Sequence, residues 1–192
     1  MKRTRIVFSG SGGQGVITAA IILAEAAVIH EGLNATQSQS YGAAARGGAT
    51  RSDIIISSDE IGFPNVTQPN ILVCLTQEAY NAFSPIIRPG GTLLTDSRFV
   101  KQAKKVDAKQ LELPMYQEVM EQVGKPIVFN ICVLGAIIGL TGLIKPDSML
   151  ATIKDRVPAD FVGLNTKAFE LGLEMGADFS MLQQSLFSPI HK

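Results

Sequence analysis

Three features of the 192-residue sequence predict an α/β fold: a Rossmann-like three-layer sandwich on a mostly parallel sheet with an added antiparallel hairpin. A short apolar strand runs into a glycine-rich turn, Gly10-Ser11-Gly12-Gly13-Gln14-Gly15, which opens directly onto an apolar helix. Further short apolar runs alternate with helix-length segments, the pattern of parallel strands joined by crossovers. The length suits one domain spanning 1–192, its C-terminal part helical from about residue 113.

The elements follow in order. Residues 3–9 read as a buried strand, since Ile6-Val7-Phe8 is short, apolar and stopped by glycine. Residues 16–30 form a helix with little polar surface beyond Thr18 and Glu25, and residues 34–38 a second strand that begins a βαβ unit. Residues 52–58 make a strand, turned by Ser58-Asp59-Glu60 toward a short hairpin partner at 61–63. A strand at 70–75, a helix at 76–83, a turn at Pro89-Gly90-Gly91 and a strand at 92–95 ending at Asp96 continue the alternation.

Residues 113–123 read as a helix starting near Pro114. The uncharged run 127–144 reads as a buried helix capped by Asn130, whose Gly135, Gly139 and Gly142 leave a stripe for close approach of another element. Its length and its G-x-x-x-G spacing imitate a membrane span, but Asn130, Thr141 and three glycines dilute it. A short helix from Pro146 to about residue 154 follows. The last helix runs from after Pro158 to Gly176, with Gly172 and Gly176 shaping its end.

Composition removes several classes of function. Seventeen basic and seventeen acidic residues cancel, leaving no global field to hold a nucleic acid. Cys74 and Cys132 lie far apart in apolar runs and read as small buried hydrophobes; with two histidines they make no zinc or iron–sulfur spacing. The basic start, Lys2, Arg3 and Arg5, imitates a signal peptide, but the glycine turn separates it from the apolar run, so the expected location is the cytoplasm. At 46% hydrophobic and 18% charged, the chain is apolar enough to expect partners over part of its surface.

The glycine turn matches the G-x-G-x-x-G spacing that brings backbone N–H groups to a pyrophosphate. The acid that should end the second strand and bind a ribose is missing, because the strand ends Thr36-Gln37-Ser38-Gln39-Ser40. The turn also lacks the Lys-Ser/Thr of a P-loop. A second segment, residues 41–51, combines Gly42, Gly47 and Gly48 with Arg46 and Arg51, guanidinium groups suited to a carboxylate or phosphate. The plainer reading of these arginines is pairing with nearby acids at the surface.

Taken together, Gly10 to Val16, Gln39-Ser40-Tyr41-Gly42, Arg46-Gly47-Gly48 and Arg51-Ser52-Asp53 resemble the gamma subunit, or gamma domain, of 2-oxoacid:ferredoxin oxidoreductases. Pro69-Asn70-Ile71-Leu72-Val73, Pro89-Gly90-Gly91-Thr92, the Asn130 helix and Asn165-x-x-Ala168-Phe169-x-x-Gly172 extend the resemblance to about residue 176. One departure is Ala43-Ala44, where the family usually has Pro-Glu, which removes that glutamate's acceptor here. The stretch 36–42 and the free-standing length resemble the 2-oxoglutarate branch more than the pyruvate branch.

The resemblance implies a subunit of a complex that oxidatively decarboxylates a 2-oxoacid with coenzyme A, giving acyl-CoA and carbon dioxide and reducing ferredoxin. It implies alpha and beta partner subunits, with thiamine diphosphate and magnesium on them and iron–sulfur clusters on a beta or delta component. No cofactor is expected on this chain, and no catalytic or metal-binding residue. The candidate contact residues, for an anion, coenzyme A or a neighbouring subunit, are Gly10, Gly12, Gly13, Gln14, Gly15, Tyr41, Arg46, Gly47, Gly48 and Arg51. The competing readings are a stand-alone NAD(P)-binding oxidoreductase and a non-catalytic scaffold module.

Overall fold

The computed structural model describes residues 3–41, 49–103 and 105–187, the side chains of residues 41 and 182–187 excepted. Its sheet has six strands: β1 (Thr4–Gly10), β2 (Asn34–Tyr41), β3 (Thr50–Ser57), β4 (Ile71–Cys74), β5 (Gly91–Asp96) and β6 (Ala108–Leu113). Their spatial order is β2-β3-β1-β4-β5-β6, with β1, β4, β5 and β6 parallel and β3 antiparallel to both its neighbours.

Both faces of the central strands are covered, which is why their sequences are continuously apolar rather than alternating. Ile6, Phe8, Ile54, Ile56, Ile71, Val73 and Leu94 face a core built with α1 (Val16–Ile29), α3 (Met115–Gln122), α4 (Phe129–Thr141), α5 (Pro146–Arg156) and α6 (Ala159–Phe187). The alternate residues Val7, Ile55, Leu72 and Leu93 face Ala79 and Tyr80 of α2 (Gln77–Phe83), with Val66, Ile87 and Val100.

The expected α/β architecture and mixed sheet are present, with a different hairpin. Residues 61–63 form no strand; β3 pairs instead with β2, from Asn34↔Ser57 to Tyr41↔Thr50. β2 therefore outlasts its apolar start, because cross-strand hydrogen bonds to β3 hold Ser38, Gln39 and Ser40 extended whatever their polarity. β1 and β2 run in the same direction, as a βαβ unit requires, but β3 is inserted between them. β6 was not expected either: only Leu111 and Leu113 of its Ala-Lys-Gln-Leu-Glu-Leu are buried, a weak signal typical of a sheet edge. Leu113 consequently ends a strand, and α3 begins after Pro114.

The helical half holds two further corrections. Asn130 lies inside α4 rather than capping it; a 3-10 turn, Pro126–Val128, precedes the helix and Asn130 is buried. Gly172 and Gly176 do not end α6, which continues to Phe187. They pack against α4 instead. A Cβ on Gly172 would overlap the Cys132 carbonyl and one on Gly176 the Ala136 carbonyl; reciprocally, Gly135 faces the Phe169 carbonyl and Gly139 the Leu173 carbonyl. The two helices run parallel at this contact with backbone against backbone, so the stripe allows close approach as expected. Gly142 is separate: at φ +59° it ends α4. At thirteen residues α4 spans only about 20 Å, short of a bilayer's hydrocarbon core. Among the described residues no helix is long and apolar enough to cross a membrane.

Candidate functional site at the glycine turn

β1 leads through α1 to β2 on one side, while β4 leads through α2 to β5 on the other side and the opposite face. The carboxyl ends of β1 and β4 therefore flank a topological switch point, the place where open α/β sheets leave a crevice for ligands. The glycine turn sits there.

Its most informative side chain is Gln14. Its Oε1 accepts from the Ser11 N–H at 2.8 Å, and its Nε2 donates to the Leu75 carbonyl, just past β4, at 2.9 Å. The Gln14 N–H in turn donates to the Ser11 carbonyl at 3.1 Å, closing a 3-10 turn over Gly12–Gln14. Gly10 makes room for this arrangement, since a Cβ there would stand 2.5 Å from Gln14 Oε1. The chain's own amide thus bridges the turn to the end of β4 and takes one of the turn's N–H donors.

The other glycines divide by purpose. Gly15 has φ +67°, and its missing Cβ leaves space for Asn130, whose Nδ2 would lie 2.7 Å from it. Asn130 Nδ2 donates to the Gly15 carbonyl at 3.4 Å, so the start of α4 is set against the start of α1. Gly12 and Gly13 are exposed; a Cβ on Gly13 would touch nothing within 4 Å, and one on Gly12 only Thr50 Oγ1 at 3.8 Å. The fold does not need these two to be glycine. On the flank of the turn lies a cleft of about 310 Å³ that includes Thr18, Asn130 and Asn165 and the exposed apolar side chains of Ile127 and Phe161.

Arg51 is close in the sheet but turned away. Ser9 pairs with Arg51 and Gly10 with Thr50, so β3 enters beside the glycine turn. The Arg51 guanidinium, however, forms a bidentate pair with Asp53 at 2.6 and 2.8 Å, donates to the Val66 carbonyl at 2.6 Å, and lies 5.4 Å from the Phe83 ring on the α2 side. For Arg51 the geometry is the plainer one, an arginine paired with a nearby acid. Arg46, Gly47 and Gly48 lie outside the described residues, as do Gly42, Ala43 and Ala44, and of Tyr41 only the backbone, at the end of β2, is described.

Carboxylates near β2 are also engaged. Asp53 is cross-strand from Ser38 and held by Arg51. Glu31 accepts from Ser148 Oγ at 2.6 Å and from the Lys145 N–H at 3.1 Å, serving as a cap on the start of α5; the Ser148 hydrogen bond, with the Lys145 amide and charge, lowers its pKa. Asp96, at the carboxyl end of β5, is fully buried and accepts from the Arg98 and Tyr116 N–H groups at 2.9 and 2.7 Å. Burial raises its pKa against the pull of those two hydrogen bonds.

Both cysteines are buried, and burial pushes each thiol up to about 12, which keeps them protonated and unreactive at neutral pH. Among the described residues no group of three or more His, Cys, Asp or Glu is placed to hold a metal ion. Sequence reasoning offered an acid partner for Arg51 without naming Asp53, and did not foresee the Gln14–Leu75 bridge or the Asn130–Gly15 contact. Only the last left a signal, a solitary amide near the start of an apolar run.

The family model described as pyruvate ferredoxin/flavodoxin oxidoreductase matches residues 5–175. The 2-oxoglutarate synthase subunit KorC of Methanocaldococcus jannaschii is 41% identical over 178 residues, covering 92% of this chain and 95% of that protein. The solved gamma subunit of a keto/oxoacid ferredoxin oxidoreductase from Geobacter sulfurreducens superposes with a TM-score of 0.85 at 41% identity, covering 93% of this chain and 98% of that one. The 2-oxoglutarate:ferredoxin oxidoreductase of Magnetococcus marinus, solved with 2-oxoglutarate, coenzyme A and succinyl-CoA, shares the fold at a TM-score of 0.83. Its identity is 22%, and the match covers 93% of this chain and 32% of that one.

Proposed function

This chain belongs to the pyruvate ferredoxin/flavodoxin oxidoreductase family, and from that membership we propose that it is the gamma subunit of a 2-oxoacid:ferredoxin oxidoreductase acting on 2-oxoglutarate. The complex oxidatively decarboxylates the oxoacid with coenzyme A, releases carbon dioxide, forms the acyl-CoA thioester and passes two electrons to ferredoxin. The observation that carries this reading is the 41% identity to a 2-oxoglutarate synthase subunit over almost the full length of both chains. Thiamine diphosphate, magnesium and the iron–sulfur clusters are assigned to the alpha, beta or delta partners. They supply the carbanion stabilisation and electron transfer.

This chain's own contribution is placement. Gln14 fixes the turn to β4, which keeps Gly12 and Gly13 at the surface of the switch point with no side chain between the backbone and whatever docks there. In the proposal those two glycines, with Tyr41 and the Arg46-Gly47-Gly48 segment, meet the phosphate or carboxylate of a co-substrate or a loop of the neighbouring subunit. Arg51 serves them by tying β3 to the Val66 carbonyl, its guanidinium oriented by Asp53 on the same strand. The stand-alone NAD(P) reading lacks support: no acid ends β2, Gln14 already takes the Ser11 N–H of the turn, and the carboxylates beside β2 have protein partners.

The test is to purify the complex through a tag on this chain, identify its subunits by mass, and assay coenzyme A-dependent ferredoxin reduction with 2-oxoglutarate, pyruvate and 2-oxoisovalerate. Highest kcat/KM with 2-oxoglutarate is expected. Recovery of the chain without a thiamine enzyme overturns the proposal, and a preference for pyruvate overturns its substrate. NADH titrated against the isolated chain is expected to give no saturable fluorescence change.

A further inference from the structure

The proposed function draws on Gly12, Gly13 and the segment after β2, and leaves the cleft on the flank of the turn without a use. Two of the residues lining it are asparagines that are almost wholly buried, Asn130 at 8% and Asn165 at 7% exposure. Each spends one N–H inside the chain. Asn130 Nδ2 donates to the Gly15 carbonyl at 3.4 Å, and Asn165 Nδ2 to the Phe161 carbonyl at 2.9 Å. Those bonds fix both carboxamides, since turning either one over would set oxygen against oxygen. Among the described residues neither Oδ1 receives a donor, and neither is sealed from solvent, so what remains accessible of each carboxamide lies at the cleft.

Each asparagine is left with an oxygen and one N–H. The group that completes such a pair carries a donor and an acceptor side by side, as an amide does. A carboxylate or phosphate brings acceptors only and would face two oxygens. A cation finds no carboxylate to meet, because Arg156 is the one charged side chain among the described lining residues and Glu25 already holds it. The walls are otherwise apolar: Ile22, Val128 and Ile131 are buried, while Ile127 and Phe161 are 74% and 50% exposed.

We infer that this cleft is a binding site for an uncharged secondary amide on an aliphatic frame. Its N–H groups donate to Asn130 and Asn165 Oδ1, and its hydrocarbon covers Ile127 and Phe161. Water serves the two oxygens in the free chain but does nothing for the walls, and a ligand that replaces its hydrogen bonds gains the apolar contact as well. The volume of about 310 Å³ is twice the roughly 150 Å³ that holds a benzene ring, which leaves room for about a dozen non-hydrogen atoms. A free small molecule and a backbone segment of a neighbouring protein both offer this chemistry.

The probe is N-acetyl-leucine N-methylamide, titrated into the full 15N-labelled chain and followed by NMR. Saturable shifts are expected at the Asn165 side-chain amide and at the backbone amides of Ile127 and Phe161, with a Kd of about 1 mM for a ligand of this size. The N,N-dimethylamide, which lacks one N–H, is expected to bind about threefold or more weakly, and N-acetyl-leucine, a carboxylate, no better than the dimethylamide. Asn165→Leu, which keeps the size of the side chain without its polar atoms, is expected to weaken the probe about fivefold or more. Phe161→Ala, at a half-exposed position, is expected to weaken it too, with far-UV circular dichroism unchanged in both variants. No saturation by about 50 mM, tighter binding of the carboxylate, or binding indifferent to both variants overturns the inference. These measurements need no partner, so their failure leaves the gamma-subunit reading untouched. Saturation-transfer NMR on the purified complex then separates the two sources. Probe signal that survives in the native complex and falls with Asn165→Leu assigns the site to a small molecule. Signal lost in the native complex, with fewer partner subunits recovered on Asn165→Leu, assigns it to a neighbour's backbone. A complex that excludes the probe yet assembles undiminished with Asn165→Leu overturns the inference, because whatever covers the cleft then ignores its asparagines.

Discussion

The glycine turn at Gly10–Gly15 and the glycine pairs of α4 and α6 use the same residue for opposite ends. In the helices, Gly135, Gly139, Gly172 and Gly176 each lack a Cβ because a backbone atom of the other helix occupies its place. In the turn, Gly10 and Gly15 make room for the side chains of Gln14 and Asn130, while Gly12 and Gly13 face outward and clear space for nothing in this chain. The first set builds the molecule. The exposed pair of the second leaves bare backbone at the surface, and the difference is invisible in residue type.

The comparison breaks most readily at the helices. Gly135→Ala or Gly172→Ala is expected to cost about 3 kcal/mol or more, since the helices must part along a rigid backbone contact and overpacking of this kind has no flexible side chain to yield. Urea denaturation reads the effect; an unchanged midpoint would mean the two helices separate at little cost. Gly15→Ala comes next, at about 1–3 kcal/mol, from a left-handed backbone plus the clash with Asn130. Adding Asn130→Ala should relieve the clash and leave the backbone strain, which a double-mutant cycle would show as strong coupling.

A smaller effect is expected at Glu31, which holds the start of α5, the link between the two glycine-paired helices. Glu31→Ala should cost about 1 kcal/mol near neutral pH, in the range of a lost helix cap. Its folded pKa lies below its ordinary value of 4.5, so the contribution is complete above that value and is lost as pH falls through the folded pKa. Stability curves of the native chain and the variant are therefore expected to converge on acidification. The smallest structural change is Gly13→Ala, expected within about 0.5 kcal/mol. If Gly13 meets a co-substrate or a neighbouring subunit, the same variant should raise the KM for coenzyme A or loosen the complex. Unchanged KM and unchanged assembly would remove Gly13 from the proposed contact.

Much of the architecture was readable in advance because burial writes itself into sequence. β1, β4 and β5 are covered on both faces and appear as short apolar runs between turns. What eluded the sequence were the edges: β2 beyond Ser38 is polar and β6 buries only two leucines, and both are strands because a neighbour pairs with them. The candidate site was legible as a motif, from Gly10 to Gly15, but not as a set of contacts. Gln14 binds Leu75, 61 positions away, and Asn130 reaches Gly15 from 115 away. No local pattern encodes such separations.

The sequence by itself determined the alternation of strand and helix, the apolar core, the turn that joins β1 to α1 and the family resemblance, since all depend on local propensity and on the order of motifs along the chain. Only the tertiary structure decided which glycines face inward, that β3 enters between β1 and β2, that Arg51 is spent on Asp53, and that the chain's own Gln14 bridges the turn to β4. The physical reason is the same in each case. A missing Cβ, a guanidinium or an amide has no fixed meaning until the fold supplies the atom it faces.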